Sequence, residues 1–238
     1  MLFYTYSPNS FEYLDSGDAE QSPLEEGVYL LPANATFEVP PSIGSRQMQR
    51  WGGESWSIVP DYRLSIIYSK ADKTILAAGL GETPEDIGGT LLEPGQFDLW
   101  DDNTGAWVFN QALADADLLR RKHSVISNLI AHRSAVLDGG AKIVVSGADK
   151  WMQTDAHSRT QWLALYVAPS IAPGIVWRTM DGSYVTVTRQ IVDDVYAQTT
   201  LLDMLGFGNA ESHRAGIMGS TDPESYDFST GWPEVFSA

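Results

Sequence analysis

The sequence contains no cysteine, which excludes disulfides, thiolate nucleophiles and thiolate metal sites together and suits a reducing compartment. Basic residues are also scarce. The chain has 15 Lys and Arg against 31 Asp and Glu, which leaves a formal charge of −16. Such a chain repels nucleic-acid phosphates and anionic membrane surfaces, and its longest basic run, Arg120-Arg121-Lys122, is short. We therefore expect neither a nucleic-acid partner nor a membrane partner.

Long hydrophobic runs are missing as well. No apolar run approaches the roughly 18 residues that a membrane span requires. The segment Met1–Pro8 has neither a basic n-region nor an apolar h-region, so we expect no signal peptide. Hydrophobic residues nevertheless make up 43% of the chain and aromatic residues 11%, which excludes wholesale disorder. We expect a soluble protein that stays in the compartment where it is made, with one large or two small folded domains.

Motifs for catalysis and metal binding are absent too. The sequence has no nucleophile elbow, no P-loop and no HExxH. The segment Asp101–Gly105 resembles a calcium loop but lacks the alternating oxygen ligands and the final Glu, so we predict a plain turn. The histidines follow no known ligand spacing; they are His123, His132, His157 and His213. We predict no metal, no cofactor and no catalytic residue, and we predict that the protein is not an enzyme.

What the sequence does contain is a β-rich first half. Residues 1–110 alternate strand-forming segments with Gly, Pro, Asn and Asp, and two places are typical of hairpins. A turn centred on Gly53-Glu54 would place Trp51 opposite Trp56. A four-residue turn, Asp102 to Gly105, would place Trp100 opposite Trp107. Each hairpin follows a proline-containing segment, which predicts two degenerate copies of one β unit, at about residues 1–62 and 63–110.

A helix is predicted next, over residues 111–138. Its apolar residues recur at steps of three and four, and Gly139-Gly140 ends the pattern. We interpret it as a connecting helix between two domains, and self-association through it remains an alternative.

The remainder, residues 139–218, predicts a small α+β domain. Asp155 and Thr188 are candidate N-caps of two helices, the second ending at Gly206, and Asp181-Gly182 is a strong hairpin turn. We expect the polar tail, residues 219–238, to be flexible or bound to a partner, with Trp232 and Phe236 as its candidate anchors. The predicted fold class is therefore α+β, with a hairpin-rich N-terminal region, a connecting amphipathic helix and a small C-terminal α+β domain.

Tryptophan is the residue in excess, with eight copies. Packing in small cores explains most of them. The alternative is that the two hairpin pairs form exposed aromatic surfaces that bind a protein or a sugar. The candidate partner-binding residues are Trp51, Trp56, Trp100 and Trp107.

Several ordered segments resemble phage tail-fibre assembly proteins. They are the run from Ser22 to Thr36, Pro40-Pro41, the first tryptophan hairpin followed by Asp61-Tyr62-Arg63, and the run from Pro94 to Val108. Residues from about Arg120 to Leu205 resemble an uncharacterised domain that often accompanies these phage proteins. Its marks are Ile126 and Arg133, Thr154–Arg159 and Trp177–Thr188.

The resemblance implies a chaperone that binds the C-terminal part of a cognate tail fibre and assists its folding and trimerisation, in the cytoplasm of the bacterial host. It carries no catalytic residue. The alternative is a structural adhesin or cap that stays at the fibre tip of the virion and binds host glycans. A third hypothesis, an enzyme acting on host glycans, would use Asp101 and Asp194.

Overall fold

The computed structural model describes residues 1–237 and divides the chain into two compact units, residues 1–111 and the part from Ala112 onward. The described residues contain three α-helices and fourteen short strands, all paired antiparallel. The predicted α+β class is thus confirmed. Within residues 1–237, no helix combines the length and the apolarity that crossing a bilayer requires.

The first half of the N-terminal unit is a three-stranded sheet followed by a hairpin. Strand β1 (Leu2–Tyr6) lies in the middle of the sheet, between β2 (Tyr13–Asp18) and β3 (Ala35–Thr36). The hairpin comprises β4 (Gln47–Trp51) and β5 (Trp56–Pro60).

The second half has the same strand order. Strand β6 (Ile67–Ser69) lies between β7 (Ile75–Leu76) and β8 (Gly89–Thr90). A hairpin of β9 (Asp98–Asp101) and β10 (Ala106–Phe109) follows. In both halves, then, the first strand is central, the next two flank it, and a tryptophan hairpin comes last.

The turn after the central strand is built alike in both copies. The Ser7 and Ser69 hydroxyls each accept from two backbone amides inside the turn, at 3.2–3.4 Å. Each serine carbonyl also accepts, at 2.9 Å, from the amide four residues later, that of Phe11 or Lys73. Phe11 and Lys73 both adopt a left-handed backbone, with φ of 61° and 65°. The two copies therefore share a turn geometry although their sequences differ there.

The C-terminal unit contains the helices. Its elements are α1 (Gln111–Asp138), β11 (Ala141–Val145), β12 (Ala148–Met152), α2 (Ala156–Val167), β13 (Val176–Arg178), β14 (Tyr184–Thr186), α3 (Arg189–Gly219) and a 3₁₀ turn at Pro223–Ser225. Helix α1 begins at the boundary between the units, and almost all of it lies in the C-terminal one.

The two predicted helix caps are confirmed. The Asp155 carboxylate accepts from the amides of His157 and Ser158, each at 3.0 Å, at the start of α2. The Thr188 hydroxyl accepts from the amide of Ile191 at the start of α3. Each cap satisfies backbone donors that the first helical turn leaves without a partner.

The predicted end of α3 at Gly206 is wrong, because the helix continues to Gly219. Gly206 is buried, and a Cβ there would lie 3.0 Å from the Leu137 side chain, so it marks a close helix–helix approach. Beyond it, Ala210, His213 and Ile217 continue the buried stripe at steps of three and four. A helical glycine costs about 1 kcal/mol relative to alanine, which tertiary packing readily offsets.

The main core of this unit lies between the two hairpins and the last two helices. It consists of Ile143, Met152, Trp162, Val185, Val187, Ile191, Val192 and Val195. A second cluster joins α1 to α3 through Val125, Leu129 and Ile217. The C-terminal tail covers this second cluster.

Candidate functional site

The first tryptophan pair forms as predicted. Trp51 and Trp56 are directly opposite in the β4–β5 hairpin, with ring centroids 5.2 Å apart. Tyr6 stacks on Trp51 at 5.9 Å, and Tyr13 meets Trp56 edge-on at 5.9 Å. The Trp56 Nε1 donates to the Glu38 carbonyl oxygen at 2.8 Å. This pair is therefore part of an aromatic cluster that ties the hairpin to the first sheet.

The second pair has the same edge-to-face geometry but packs against a different side chain. Trp100 and Trp107 are directly opposite in the β9–β10 hairpin, with centroids 5.3 Å apart. The Trp107 Nε1 donates to the Leu92 carbonyl oxygen at 2.8 Å, which is the bond that Trp56 makes in the first copy. Instead of a tyrosine, the Lys70 amine lies over Trp100, 4.9 Å from its ring centroid. This pair packs against a lysine cation rather than a second aromatic layer.

Apolar side chains around the second pair are exposed. Leu99 and Val108 are directly opposite each other on the other face of the hairpin, and each is 47% exposed. Phe109, on the same face as Trp107, is 57% exposed. We call Leu99, Trp100, Trp107, Val108 and Phe109 the second-hairpin surface. It is a two-stranded sheet with apolar residues facing solvent on both sides, which makes it a candidate partner-binding surface.

The two carboxylates of the enzyme hypothesis have local partners. Asp101 accepts from the Asn103 amide at 2.9 Å and from the Thr104 hydroxyl at 3.0 Å, and these bonds, the amide first, hold its pKa below the usual value. Asp194 accepts from the Gln190 side-chain amide at 2.8 Å. The two residues belong to different units. Among residues 1–237, no three histidine or acidic side chains are grouped to hold a metal ion.

Within the Asp61-Tyr62-Arg63 segment that follows the first hairpin, Arg63 makes the ionic contacts. Its guanidinium donates to both carboxylate oxygens of Asp61, each at 2.8 Å, and lies 2.8 Å from the Glu12 carboxylate. The arginine bond lowers the pKa of Asp61. The segment therefore fastens the end of β5 to the start of β2, which is a structural role.

The Thr154–Arg159 segment fastens the end of α1. The Thr154 hydroxyl, fully buried, donates to the Leu137 carbonyl at 2.6 Å and accepts from the Gly140 amide at 2.9 Å. Arg159 donates to the same carbonyl at 3.0 Å and to the Asp203 carboxylate at 2.9 Å. Both side chains thus donate to the Leu137 carbonyl, one of the helix-end carbonyls that have no partner within the helix.

The Trp177–Thr188 segment is organised by Asp181. Its carboxylate accepts from Lys150 at 2.8 Å and from the amide and hydroxyl of Ser183, with Thr179 as a further donor. These bonds, that of Lys150 first, hold the pKa of Asp181 well below its usual range. The turn between β13 and β14 is thereby bonded to the β11–β12 hairpin.

The tail differs from the flexible or partner-bound segment that the sequence predicted. Tyr226, Phe228 and Trp232 pack on the cluster between α1 and α3. Trp232 lies between two histidines, 5.0 Å from His132 and 5.9 Å from His213. The tail is polar in composition, but its four aromatic residues all reach the helices or β12, and their burial holds it in place.

A shallow cavity of about 300 Å³ lies beside the tail. Its lining includes the α3 residues Leu201, Leu202 and Leu205, together with Trp151 and Pro233. On its rim, the Lys142 amine lies 2.6 Å from the Glu234 carboxylate. A second hollow of about 430 Å³ lies on the other side of Pro233, lined by Met204, Leu205 and Trp232 among others.

This helical unit is where a known family matches. Residues 120–230 match a domain of unknown function, DUF4376. The match begins at Arg120, where the resemblance to an uncharacterised domain began, and it extends beyond Leu205 to include most of the tail. Comparisons with curated proteins and with solved structures find no match. The DUF4376 description names no activity or partner, so tail-fibre assembly stays a prediction.

The sequence pointed to Trp232 and Phe236 as possible anchors of the tail, but it missed that the tail packs on the C-terminal unit. Phe228, Trp232 and Phe236 recur every four residues in an otherwise polar segment, which is a signal for that packing. The sequence also missed the difference between the two tryptophan pairs, which depends on Tyr6 and Tyr13 in one copy and Lys70 in the other.

Proposed function

We propose that this protein is an assembly chaperone that binds the C-terminal part of a phage tail fibre while that chain folds and trimerises. The observation that carries the proposal is the second-hairpin surface, where Leu99 and Val108 face solvent on one side and Phe109 on the other. An incomplete β-structured trimer presents open strand edges and apolar surface, which a small apolar hairpin can cover.

The charge of the chain supports the same function. A net charge of −16 keeps a complex with a sticky partner dispersed, because copies of the complex repel one another. The protein would act in the cytoplasm of the bacterial host, where the fibre is made. The proposal includes no bond-making step and needs no cofactor.

The alternative function, a glycan-binding adhesin at the fibre tip, has less support. Sugar rings stack on flat, open aromatic faces, whereas both tryptophan pairs meet edge to face, at 61° and 77°. Mass spectrometry of purified virions separates the two functions, because an adhesin stays on the particle and an assembly chaperone does not have to.

Co-expression with the cognate fibre tests the proposal. We expect the fibre to be soluble and trimeric with the wild-type protein and to aggregate without it. The double variant Leu99→Thr, Val108→Thr keeps strand-forming residues and should lower the yield of trimer. The control is Val144→Thr, a more exposed valine on β11 of the other unit, at 63%, which should leave the yield unchanged. Equal fibre yields with and without the protein would overturn the proposal.

A further inference from the structure

The tail lies on the C-terminal unit as a bound peptide would. From Tyr226 to Ser237 it forms no helix or strand. Among residues 1–237, a single backbone–backbone hydrogen bond joins the segment after Tyr226 to the rest of the unit, from the Phe236 amide to the Gly139 carbonyl at 2.8 Å. Side chains make the other polar contacts, those of α3 and that of Lys142 on β11, which donates to Glu234. Asn209 and His213 both donate to the Thr230 carbonyl, at 3.0 and 2.9 Å.

Aromatic side chains make most of the packing contacts between the tail and the rest of the unit. Phe228 and Trp232 cover Val125, Leu129 and Ile217, and Phe236 meets Trp151 at 6.1 Å. The ion pairs with Lys142 and Arg121 involve Glu234 and Glu224, whose side chains are 69% and 49% exposed. Exposed pairs of this kind contribute little. The tail therefore presents to the groove aromatic residues four apart and an acidic residue that meets Lys142.

The groove is not filled. The hollows on the two sides of Pro233 are both lined by Leu205, which is 52% exposed, and Met204 beside it is 69% exposed. Gly208 adds a stretch of helix with no side chain in the second hollow. A longer or bulkier segment than the tail could thus lie on the same surface and bury more apolar area.

We propose that this groove, formed by α1, α3 and the β11–β12 hairpin, is a peptide-binding site for an extended, aromatic and acidic segment of the partner chain, and that residues 226–236 occupy it when the partner is absent. The proposal rests on the proposed function for the existence of a partner. The tail then competes with the partner segment, so the apparent affinity for that segment is reduced by the small fraction of molecules with an open groove.

The test uses the full-length protein and a fluorescent synthetic peptide of residues 222–237, with binding read by fluorescence anisotropy. The variant Trp232→Ala weakens the protein's own tail and leaves the groove intact. We expect it to bind the peptide at least about tenfold more tightly than the wild-type protein does. Phe236→Ala is a milder second variant, for use if Trp232→Ala lowers the stability of the unit. A peptide with Phe228 and Trp232 both changed to Ala is the control and should not bind.

A charge exchange tests the register of binding. Lys142→Glu in the Trp232→Ala protein should weaken binding of the natural peptide about threefold or more, and a peptide carrying Glu234→Lys should restore it. Failure of both folded tail variants to bind the peptide would overturn the proposal. So would equal binding of the control peptide, or a stable dimer whose two copies exchange tails, because the groove would then belong to a second copy.

The outcome is separable from that of the fibre experiment. Peptide binding without any effect on fibre yield would support the peptide-binding groove and contradict the chaperone function. If the fibre depends on this protein but no tail variant binds the peptide, the chaperone function is supported and the peptide-binding groove is contradicted.

Discussion

Trp56 and Trp107 make the same hydrogen bond in the two β units. Each indole Nε1 donates at 2.8 Å to a backbone carbonyl, that of Glu38 or Leu92. The accepting residue in each copy lies two positions after a buried threonine, Thr36 or Thr90. The hydroxyl of that threonine accepts from the amide of the same residue, at 3.1 and 3.2 Å. A common threonine turn and indole bond thus underlie two segments with little sequence in common.

The two tryptophans should nevertheless differ in their contribution to stability. We expect Trp56→Ala to lower the free energy of unfolding by about 2–3 kcal/mol, because Tyr6 and Tyr13 lose a ring partner, and Trp107→Ala to lower it by about 1–2 kcal/mol. Urea unfolding of the full chain followed by far-UV circular dichroism measures both. Trp→Phe at each position is the control that keeps a ring and removes the bond. A larger loss at Trp107 than at Trp56 would contradict the assignment of Trp56 to a core.

Thr154 should be sensitive to loss of its hydroxyl. Thr154→Val has nearly the same shape but leaves the buried Gly140 amide without its acceptor, so we expect a loss of about 1–3 kcal/mol. Thr154→Ser keeps the hydroxyl, removes one methyl group, and should cost about 1 kcal/mol. Thermal unfolding of the two variants side by side tests this order, and the reverse order would show that the methyl group matters more than the bonds.

Asp155 should stabilise the C-terminal unit through the start of α2. We expect Asp155→Ala to cost about 1 kcal/mol, because the amides of His157 and Ser158 lose their acceptor. Asp155→Ser restores a capping oxygen and should recover most of the loss. The measurement is urea unfolding at neutral pH, and equal losses in both variants would rule out capping as the cause.

Asp181 should make the stability of this unit depend on acid. Its pKa in the folded protein is depressed from the ordinary value of 3.8, so its contribution is complete above that value. The contribution is then lost progressively as the pH falls toward the folded pKa. Asp181→Asn should therefore be less stable than the wild type at pH 7, and the difference should shrink below about pH 4.

Urea unfolding of both proteins at pH 7, 5, 4 and 3 measures this change. Asp194→Asn is the matched control, since that half-buried carboxylate on α3 accepts from the Gln190 side chain. A difference between wild type and Asp181→Asn that stays constant over the whole pH range would contradict a role for the charged carboxylate.

Much of the fold followed from local sequence signals. Turn residues between facing tryptophans predicted the register of both hairpins, and the caps at Asp155 and Thr188 predicted two helix starts. Such features depend on residues close together in the chain, where backbone preferences are strong.

The predictions that were wrong concern features that depend on residues far apart in the chain. The passage of α3 through Gly206 depends on Leu137, some seventy positions earlier, which a local pattern cannot show. The placement of the tail depends on His132 and Trp151 in the same way. For the candidate site, sequence supplied the tryptophans, and only the structure separated the pair covered by Tyr6 from the pair beside Lys70.

The bond between Phe236 and Gly139 also has a mechanical consequence. The tail runs back along α3 from its end, so a pull on the last residues loads the contacts one after another instead of all at once. Phe236 would detach first, then Trp232 and Phe228, and α3 would bear force only at the end of that sequence. A bulky tag fused at this end would start the same detachment at Phe236 and would next separate Val235, whose side chain lies close against Gly139.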